Sequence, residues 1–170
     1  DRDDPEFAVR LEPLTFSTAN LSDFLDPLKA DGGGDVWEDI GAGIAVGIDQ
    51  SGWRAGARRI MIIVGDGAPR EEDFDHLLRL IGSFTATGGT ISTLDVSPSA
   101  NPELVEIREG APVDRKYYRG KPMREFLIIS DAGNGDAGTL AGDVNITKRL
   151  LTLIMGEQFA EEMRALFDVI

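Results

Sequence analysis

The sequence predicts an α/β fold, a doubly wound and mostly parallel sheet with helices on both faces, in a single domain over residues 1–170. Three observations lead to this prediction. Apolar runs such as "IMIIV" lack polar alternation, which is typical of strands buried on both faces of a parallel sheet. Segments with helical spacing of apolar residues separate these runs. The length of 170 residues is enough for one domain with a core of its own.

The first half of the chain contains two predicted strands and two predicted helices. Alternating apolar residues over 7–16 predict a strand, and Pro13 places that strand at a sheet edge. Residues 20–30 show the spacing of a short amphipathic helix, and a second helix follows from an apolar residue at every fourth position. These residues are Val36, Ile40, Ile44 and Ile48. The run "RRIMIIVGDG" then predicts a buried strand that ends in a Gly-Asp-Gly turn.

The second half continues the alternation of helices and strands. Spacing and composition predict a helix over 71–84, a strand over 88–97, a short helix over 101–107 and a strand over 136–140. The segment "MREFLIIS" fits either a helix or a strand. A terminal helix is predicted with a kink at Gly156. Its inner face consists of Phe159, Met163, Leu166 and Ile170.

The composition excludes several classes of protein. The chain has 17 Lys and Arg against 30 Asp and Glu, a formal charge of −13, which excludes a nucleic-acid partner and favours cations or basic protein surfaces. Without cysteine there is no disulfide, thiolate nucleophile or zinc–sulfur site. The single histidine, His76, leaves few candidates for nucleophile–base catalysis. The apolar runs are too short for membrane insertion, so we expect a soluble protein, with an extracytoplasmic location favoured.

The stretch "GGGDVWEDIGAGI" gathers the carboxylates of Asp35, Glu38 and Asp39 at the start of a predicted helix. Asp35 as N-cap with Glu38 three residues later has the spacing of a capping box, which is one explanation of the cluster. The glycines of "IGAGIAVG" weaken the helix by roughly 1 kcal/mol each and predict close packing against the sheet. That packing would hold the acids at the sheet edge, where α/β proteins place their sites. A dinucleotide site at "GAGIAVG" is disfavoured because these glycines lie inside a helical pattern.

Two further motifs follow predicted strands. Asp66 leaves a buried strand at its carboxyl end between two glycines, which favours metal binding or catalysis over a simple turn aspartate. "DVSPS" places Asp95, Ser97 and Ser99 after the next strand, and their oxygens suit Mg²⁺, Mn²⁺ or Ca²⁺, although these residue types also end ordinary strands. "GNGDAG" over 133–138 matches a dinucleotide pattern, but a poor helix start follows it.

In order, these motifs resemble a von Willebrand factor type A domain. The resemblance is carried by "LTFSTANLSDFLDPLKADGGGDVWEDIGAGIAVGID", "GWRAGARRIMIIVGDGAP", "GGTISTLDV", "ISDAGNGDAGTL" and the terminal helix, and it covers nearly the whole chain. It points in particular to the branch in which G-G-G-D-x-x-E-D replaces Gly-Gly-Thr, as in α-kinase-associated domains of this type. The resemblance implies a Rossmann-like sheet and a non-catalytic module that binds proteins.

The hallmark of that family is a metal-ion-dependent adhesion site, MIDAS, at the carboxyl edge of the sheet. The resemblance implies that Asp35, Glu38 and Asp66 hold a divalent cation, Mg²⁺ or alternatively Mn²⁺ or Ca²⁺, with Asp1 or Asp3 nearby. A protein ligand would present a carboxylate to the open position of this cation.

Two departures from the family pattern bear on that site. The family's first strand, which ends in Asp-x-Ser-x-Ser, should precede "DRDD", and the matching letters at 95–99 stand instead at the position of the fifth strand. Gly65 also stands where many members have threonine. We therefore expect a domain that lacks its first strand and helix, with an upstream segment elsewhere, and a metal that binds weakly or not at all.

Two alternatives remain open at this point. A phosphohydrolase of the haloacid-dehalogenase type also carries "GDG" after a buried strand, and "DRD" imitates its Asp-x-Asp nucleophile, although Arg70 stands where a further aspartate is usual. The second alternative is a degenerate, metal-free scaffold in which the acids only cap a helix.

Overall fold

The computed structural model describes residues 9–28, 37–140, 146–156, 159, 161 and 165, with side chains omitted for 146–149. Its helices are α1 (Thr18–Leu25), α2 (Ile40–Gln50), α3 (Phe74–Ala86), α4 (Pro102–Glu109), α5 (Arg124–Ala132) and α6 (Ile146–Met155). Its strands are β1 (Trp37–Glu38), β2 (Arg59–Gly65), β3 (Ala68–Pro69), β4 (Gly89–Asp95) and β5 (Asn134–Thr139). None of these described helices is both long and apolar enough to cross a bilayer.

The predicted fold class is confirmed: the chain is α/β, with parallel strands and a doubly wound, Rossmann-like arrangement. The main sheet has the order β2-β4-β5, and every pairing in it is parallel. β2 and β4 run in unbroken register from Arg59 opposite Gly89 to Gly65 opposite Asp95. A second sheet consists of β1 and β3 alone, also parallel. The carboxyl ends of β2 and β4 therefore lie side by side at one edge of the main sheet.

Two apolar clusters cover the two faces of the main sheet. On one face Ile91 of β4 packs with the inner sides of α2, α3 and α5, and on the other Leu94 packs with Leu140 and Leu153 of α6. Neighbouring residues of β2 divide in the same way, since Met61 and Ile63 join the first cluster and Ile62 joins the second. Burial on both faces explains why β2 carries the apolar run "IMIIV" without alternation.

The ambiguous segment "MREFLIIS" forms α5 and not a strand. Phe126 and Ile129 are both fully buried and lie three residues apart, so they occupy one side of a helix and pack on β4. The exposed Leu127 lies on the opposite side. An apolar run of this length fits either kind of element, and the spacing of the buried residues distinguishes them only once the partner surface is known.

The strand predicted over 7–16 is wrong for the part that the structure describes. Residues 9–16 are neither strand nor helix. The Leu14 N–H donates a hydrogen bond to the carbonyl of Ser51, at the end of α2, at 2.9 Å. Leu14 and Phe16 are exposed, which removes the burial that would stabilise a strand. Residues 7 and 8 lie outside the described residues.

Helix ends differ from the predicted ones for local reasons. α1 starts at Thr18 because Ser17 is its N-cap, with its hydroxyl accepting from the Asn20 N–H, and Pro27 follows its end. α6 ends at Met155, where Gly156 takes a φ of +102°, which only glycine adopts without strain. The predicted inner-face residues Met163, Leu166 and Ile170 lie outside the described residues, and Phe159 is exposed.

Candidate functional site

The carboxyl end of β2 carries Asp66, and a short parallel pairing brings a second acid to it. Trp37 of β1 stands opposite Ala68 of β3, and Glu38 stands opposite Pro69. β3 begins two residues after Asp66, so this pairing holds the start of α2 against the turn that leaves β2. Two residues distant in sequence, Glu38 and Asp66, are thereby fixed at the same edge of the molecule.

Glu38 and Asp66 line one cavity of about 270 Å³. The other lining residues are Asp39, Ile40, Ile63, Val64, Gly65 and Gly67. Both acidic residues are exposed, and among the described residues neither carboxylate accepts a hydrogen bond or forms an ion pair. Both residues thus border the same cavity, and the cation expected between them stays a prediction.

Asp39, and not Asp35, caps α2. The helix begins at Ile40, and the Asp39 Oδ1 accepts a hydrogen bond from the Ala42 N–H at 3.2 Å. Glu38 lies in β1, before the cap, so the predicted capping box between Asp35 and Glu38 is wrong. This correction matters for function, because Glu38 takes no part in the hydrogen bonds of the helix cap.

The arrangement can hold a small hard cation. Mg²⁺ commonly binds through one or two carboxylates and keeps water or a ligand's oxygen at its remaining positions, which the pair Glu38 and Asp66 would permit. Within the described residues, no group of three or more acidic or histidine side chains converges to enclose a metal. The described residues thus offer two carboxylates at this cavity, Glu38 and Asp66, outside the helix cap.

Of the other residues predicted for the metal, Asp1, Asp3 and Asp35 lie outside the described residues. Asp95, Ser97 and Ser99 are described, and they form a separate cluster at the end of β4. The Asp95 carboxylate, fully buried, accepts from Ser97 Oγ at 2.6 Å, from the Ser97 N–H at 3.0 Å and from the Met123 N–H at 2.8 Å. Ser99 Oγ accepts from the Arg119 N–H at 3.4 Å.

The positive charge in this second cluster comes from Arg119. Its Nη2 donates to Asp95 Oδ2 at 2.6 Å and to Ser97 Oγ at 3.1 Å. The side chains of Asp95 and Ser97 thus lie together, as the Asp-x-Ser sequence predicts, but they surround the guanidinium of Arg119. Sequence reasoning missed Arg119 because it lies 24 residues after Asp95 in an irregular segment without periodicity.

The glycines of "GNGDAG" serve the pairing of β5 with β4. A Cβ on Gly135 would lie 2.2 Å from the Ile91 carbonyl oxygen, and one on Gly133 would lie 2.4 Å from the same atom. Asn134 between them has a φ of +51°. The motif connects a helix to a strand, the reverse of the strand-to-helix order that a dinucleotide site requires. His76 is exposed on α3.

No family model, curated protein or solved structure matches this chain.

Proposed function

We propose that the chain is a divalent-cation-dependent protein-binding module of the adhesion type, with Glu38 and Asp66 as cation ligands. The observation that carries this proposal is that two carboxylates, free of hydrogen bonds and ion pairs among the described residues, line one cavity at the carboxyl edge of the sheet. A dication in this cavity would be attracted by both negative charges.

The nature of the ligand follows from the open site. With two protein carboxylates, an ion that prefers six oxygen ligands keeps positions for water and for one group from outside. A carboxylate on a partner protein is a hard, negatively charged donor that suits such an ion.

The direct test is thermal unfolding of the chain with and without Mg²⁺ or Mn²⁺. An ion at ten times its dissociation constant stabilises the folded state by about 1.4 kcal/mol, which corresponds to a rise of about 3–5 °C in Tm. We expect Asp66→Asn and Glu38→Gln to abolish most of this rise. Without added ion both variants should be at least as stable as the original chain, because each removes one negative charge from a chain whose formal charge is −13.

Asp75→Asn is the matched control, since Asp75 is an exposed acid on α3 outside the cavity. It should retain the full rise in Tm. No rise in the unmodified chain would favour the metal-free scaffold instead. Turnover of p-nitrophenyl phosphate that disappears in Asp66→Asn would replace the proposal with a phosphohydrolase.

A further inference from the structure

A second cavity, of about 270 Å³, lies at the ends of β4 and β5. Thr139, the last residue of β5, forms one part of its wall, Pro102 at the start of α4 forms another, and the segment between α4 and α5 forms the rest. We call this space the Arg119 cavity. In the described part of the chain it shares no lining residue with the cavity of Glu38 and Asp66. Open α/β sheets bind ligands outside the carboxyl ends of their strands, so this position suits a site.

A buried amide side chain holds the walls of the Arg119 cavity in place. Asn101, which is 1% exposed, donates from Nδ2 to the Asp95 carbonyl at 2.9 Å, and its Oδ1 accepts from the Leu140 N–H at 2.7 Å. The end of β4, the start of α4 and the end of β5 are therefore joined through one residue. The Gly120 N–H donates to the Ser99 carbonyl at 3.0 Å, which ties the segment between α4 and α5 to the same frame. Walls fixed in this way lower the ordering cost of binding a ligand.

Arg119 has one guanidinium nitrogen left for such a ligand. Its Nη2 donates to Asp95 and Ser97, and its Nε donates to the Lys121 carbonyl at 2.8 Å. Nη1 makes no hydrogen bond with a described residue, and the side chain is 30% exposed. The guanidinium is thus held by two of its nitrogens, while Nη1 keeps its N–H donors for an oxygen from outside.

Tyr118 offers a second donor at the same cavity. Its side chain is half-buried, and its hydroxyl has no hydrogen-bond partner among the described residues. The other arginine at this cavity, Arg115, is already occupied, because all three of its guanidinium nitrogens donate to Glu103 and Glu106. Recognition of a ligand therefore falls to Arg119 and Tyr118.

The two donors define the chemical class of the ligand. A guanidinium only donates, so the ligand must present oxygens, and a carboxylate presents two, one for each donor. Glu103 also lines the cavity and repels a dianion more than a monoanion, which favours a carboxylate over phosphate. The volume is that of about nine water molecules, so the ligand has on the order of nine non-hydrogen atoms.

We propose that the Arg119 cavity binds a small molecule or chain end that carries a carboxylate, with Arg119 Nη1 and the Tyr118 hydroxyl each donating to one of its oxygens. This site uses none of the residues of the proposed cation site, so Asp66→Asn should leave its binding unchanged. A free organic acid and the terminal carboxylate of a peptide both present the required group, and the length of the ligand that binds distinguishes them.

The test compares N-acetyl-L-alanine with N-acetyl-L-alaninamide, which are alike in size while only the first carries a carboxylate. Each is titrated into the isotopically labelled full chain, and NMR follows the Arg119 Nε–H and the backbone amides of Gly120 and Thr139. We expect saturable shifts with the acid and a dissociation constant on the order of 1 mM, as for other ligands of this size. The amide should bind at least about tenfold more weakly, because it lacks the charge that strengthens both hydrogen bonds. Equal binding of the two, tighter binding of inorganic phosphate, or no saturable shift would overturn the proposal.

A pair of neighbouring tyrosines provides a matched control. Tyr118→Phe removes the hydroxyl and keeps the ring, and it should weaken binding of the acid by about tenfold. Tyr117→Phe should have no effect, since Tyr117 is 76% exposed and lies outside the cavity. Arg119→Lys keeps a positive charge beside Asp95 but lacks Nη1, so it should abolish the shifts in a chain that circular dichroism shows to be folded. Unchanged affinity in Tyr118→Phe and Arg119→Lys would contradict the proposal.

A longer ligand identifies the source of the carboxylate. N-acetyl-trialanine ends in the same group as N-acetyl-L-alanine but extends beyond the volume of the cavity. Binding at least as tight as that of the short acid would support the proposal with a peptide's terminal carboxylate as the ligand. Weaker binding would support it with a free organic acid.

Discussion

At the scale of single residues, Asp95 is the polar centre of the sheet's carboxyl edge. It is fully buried, and its carboxylate joins the end of β4 to the segment that enters α5 through Arg119 and the Met123 N–H. Asp95→Asn replaces one acceptor oxygen by an NH₂ group that faces donors, and it leaves the guanidinium without its counter-ion. We expect a loss of about 2–4 kcal/mol in the free energy of unfolding, below the full cost of an isolated buried charge because Arg119 is 30% exposed.

Urea unfolding of the variant measures this loss, and Glu109→Gln is its control. The pair between Arg108 and Glu109 is exposed on both sides, so its removal should change the free energy of unfolding by less than about 0.5 kcal/mol. A similar small effect at Asp95 would show that the buried cluster does not hold the edge together.

Glu38 and Asp66 differ in how far their positions could be predicted from the sequence. A carboxylate that follows a buried strand is placed by the fold class alone, so Asp66 was predictable. Glu38 was predictable as an acid near the start of α2, but its position depends on the two-residue pairing of β1 with β3. A pairing this short has no sequence pattern of its own, which is also why Asp39 could not be distinguished from Asp35 as the cap.

At the scale of elements, the contact of β5 with β4 depends on Gly135. A Cβ there would lie 2.2 Å from a backbone carbonyl oxygen and 2.6 Å from Ser92 Oγ, and a backbone atom cannot move aside as a side chain can. Gly135→Ala should therefore destabilise the chain by about 1–3 kcal/mol. Gly82→Ala, in the open middle of α3, should instead stabilise it by about 0.5–1 kcal/mol.

Both substitutions are measured by chemical unfolding under the same conditions. We expect the free energy of unfolding to fall for Gly135→Ala and to rise for Gly82→Ala. The two substitutions are chemically the same, and only the surroundings of the two glycines differ. A neutral Gly135→Ala would mean that β5 can shift away from β4 without loss, in which case the irregular register between Ile91 and Thr93 would not be required.

The start of α4 provides a pH-dependent contribution to stability. The pKa of Glu103 is lowered from its ordinary value of 4.5, chiefly by a hydrogen bond from its own backbone N–H and then by the side chain of Arg115, with burial acting in the opposite direction. Since the folded-state pKa is the lower one, the ionised form stabilises the fold above pH 4.5, and this contribution is lost as pH falls through the folded-state pKa.

We expect Glu103→Gln to lower Tm at pH 6–7 and to have no effect at the acidic end of the titration. NMR titration of the Glu103 carboxyl carbon in Arg115→Gln is the sharper check. Its pKa should remain below 4.5, because the backbone hydrogen bond is the larger cause. A return to the ordinary value would show that the arginine is the main cause.

Elements with strong periodicity were predicted well, and the reasons for the failures are physical. β2, α3, β4 and α4 follow from local pattern because the same residues that favour each element also face a core. Apolar and polar residues alternate over 9–16 as they do in a strand, but within the described part of the chain no strand pairs with this segment. α5 could not be distinguished from a strand because its apolar run is short and its partner surface, β4, is distant in sequence.

At the scale of the whole molecule, β2 is an edge strand: it pairs with β4 on one side and, within the described residues, with no strand on the other. Residues 60–64 of β2 are apolar, and an apolar edge strand invites pairing with another chain. Charge adds to this asymmetry, since the acidic cavity lies at one end of the same open edge. Backbone polar groups of β2, apolar side chains and acidic residues thus lie along the same edge of the molecule.

Amide hydrogen exchange tests whether this edge is open in solution. The N–H groups of Met61 and Ile63 point toward β4, so they should exchange slowly, whereas those of Ile62 and Val64 point away from β4 and should exchange at least about tenfold faster. The alternation is the diagnostic result, because a general loosening of β2 would speed all four amides together. Uniformly slow exchange would show that a further part of the chain pairs with β2.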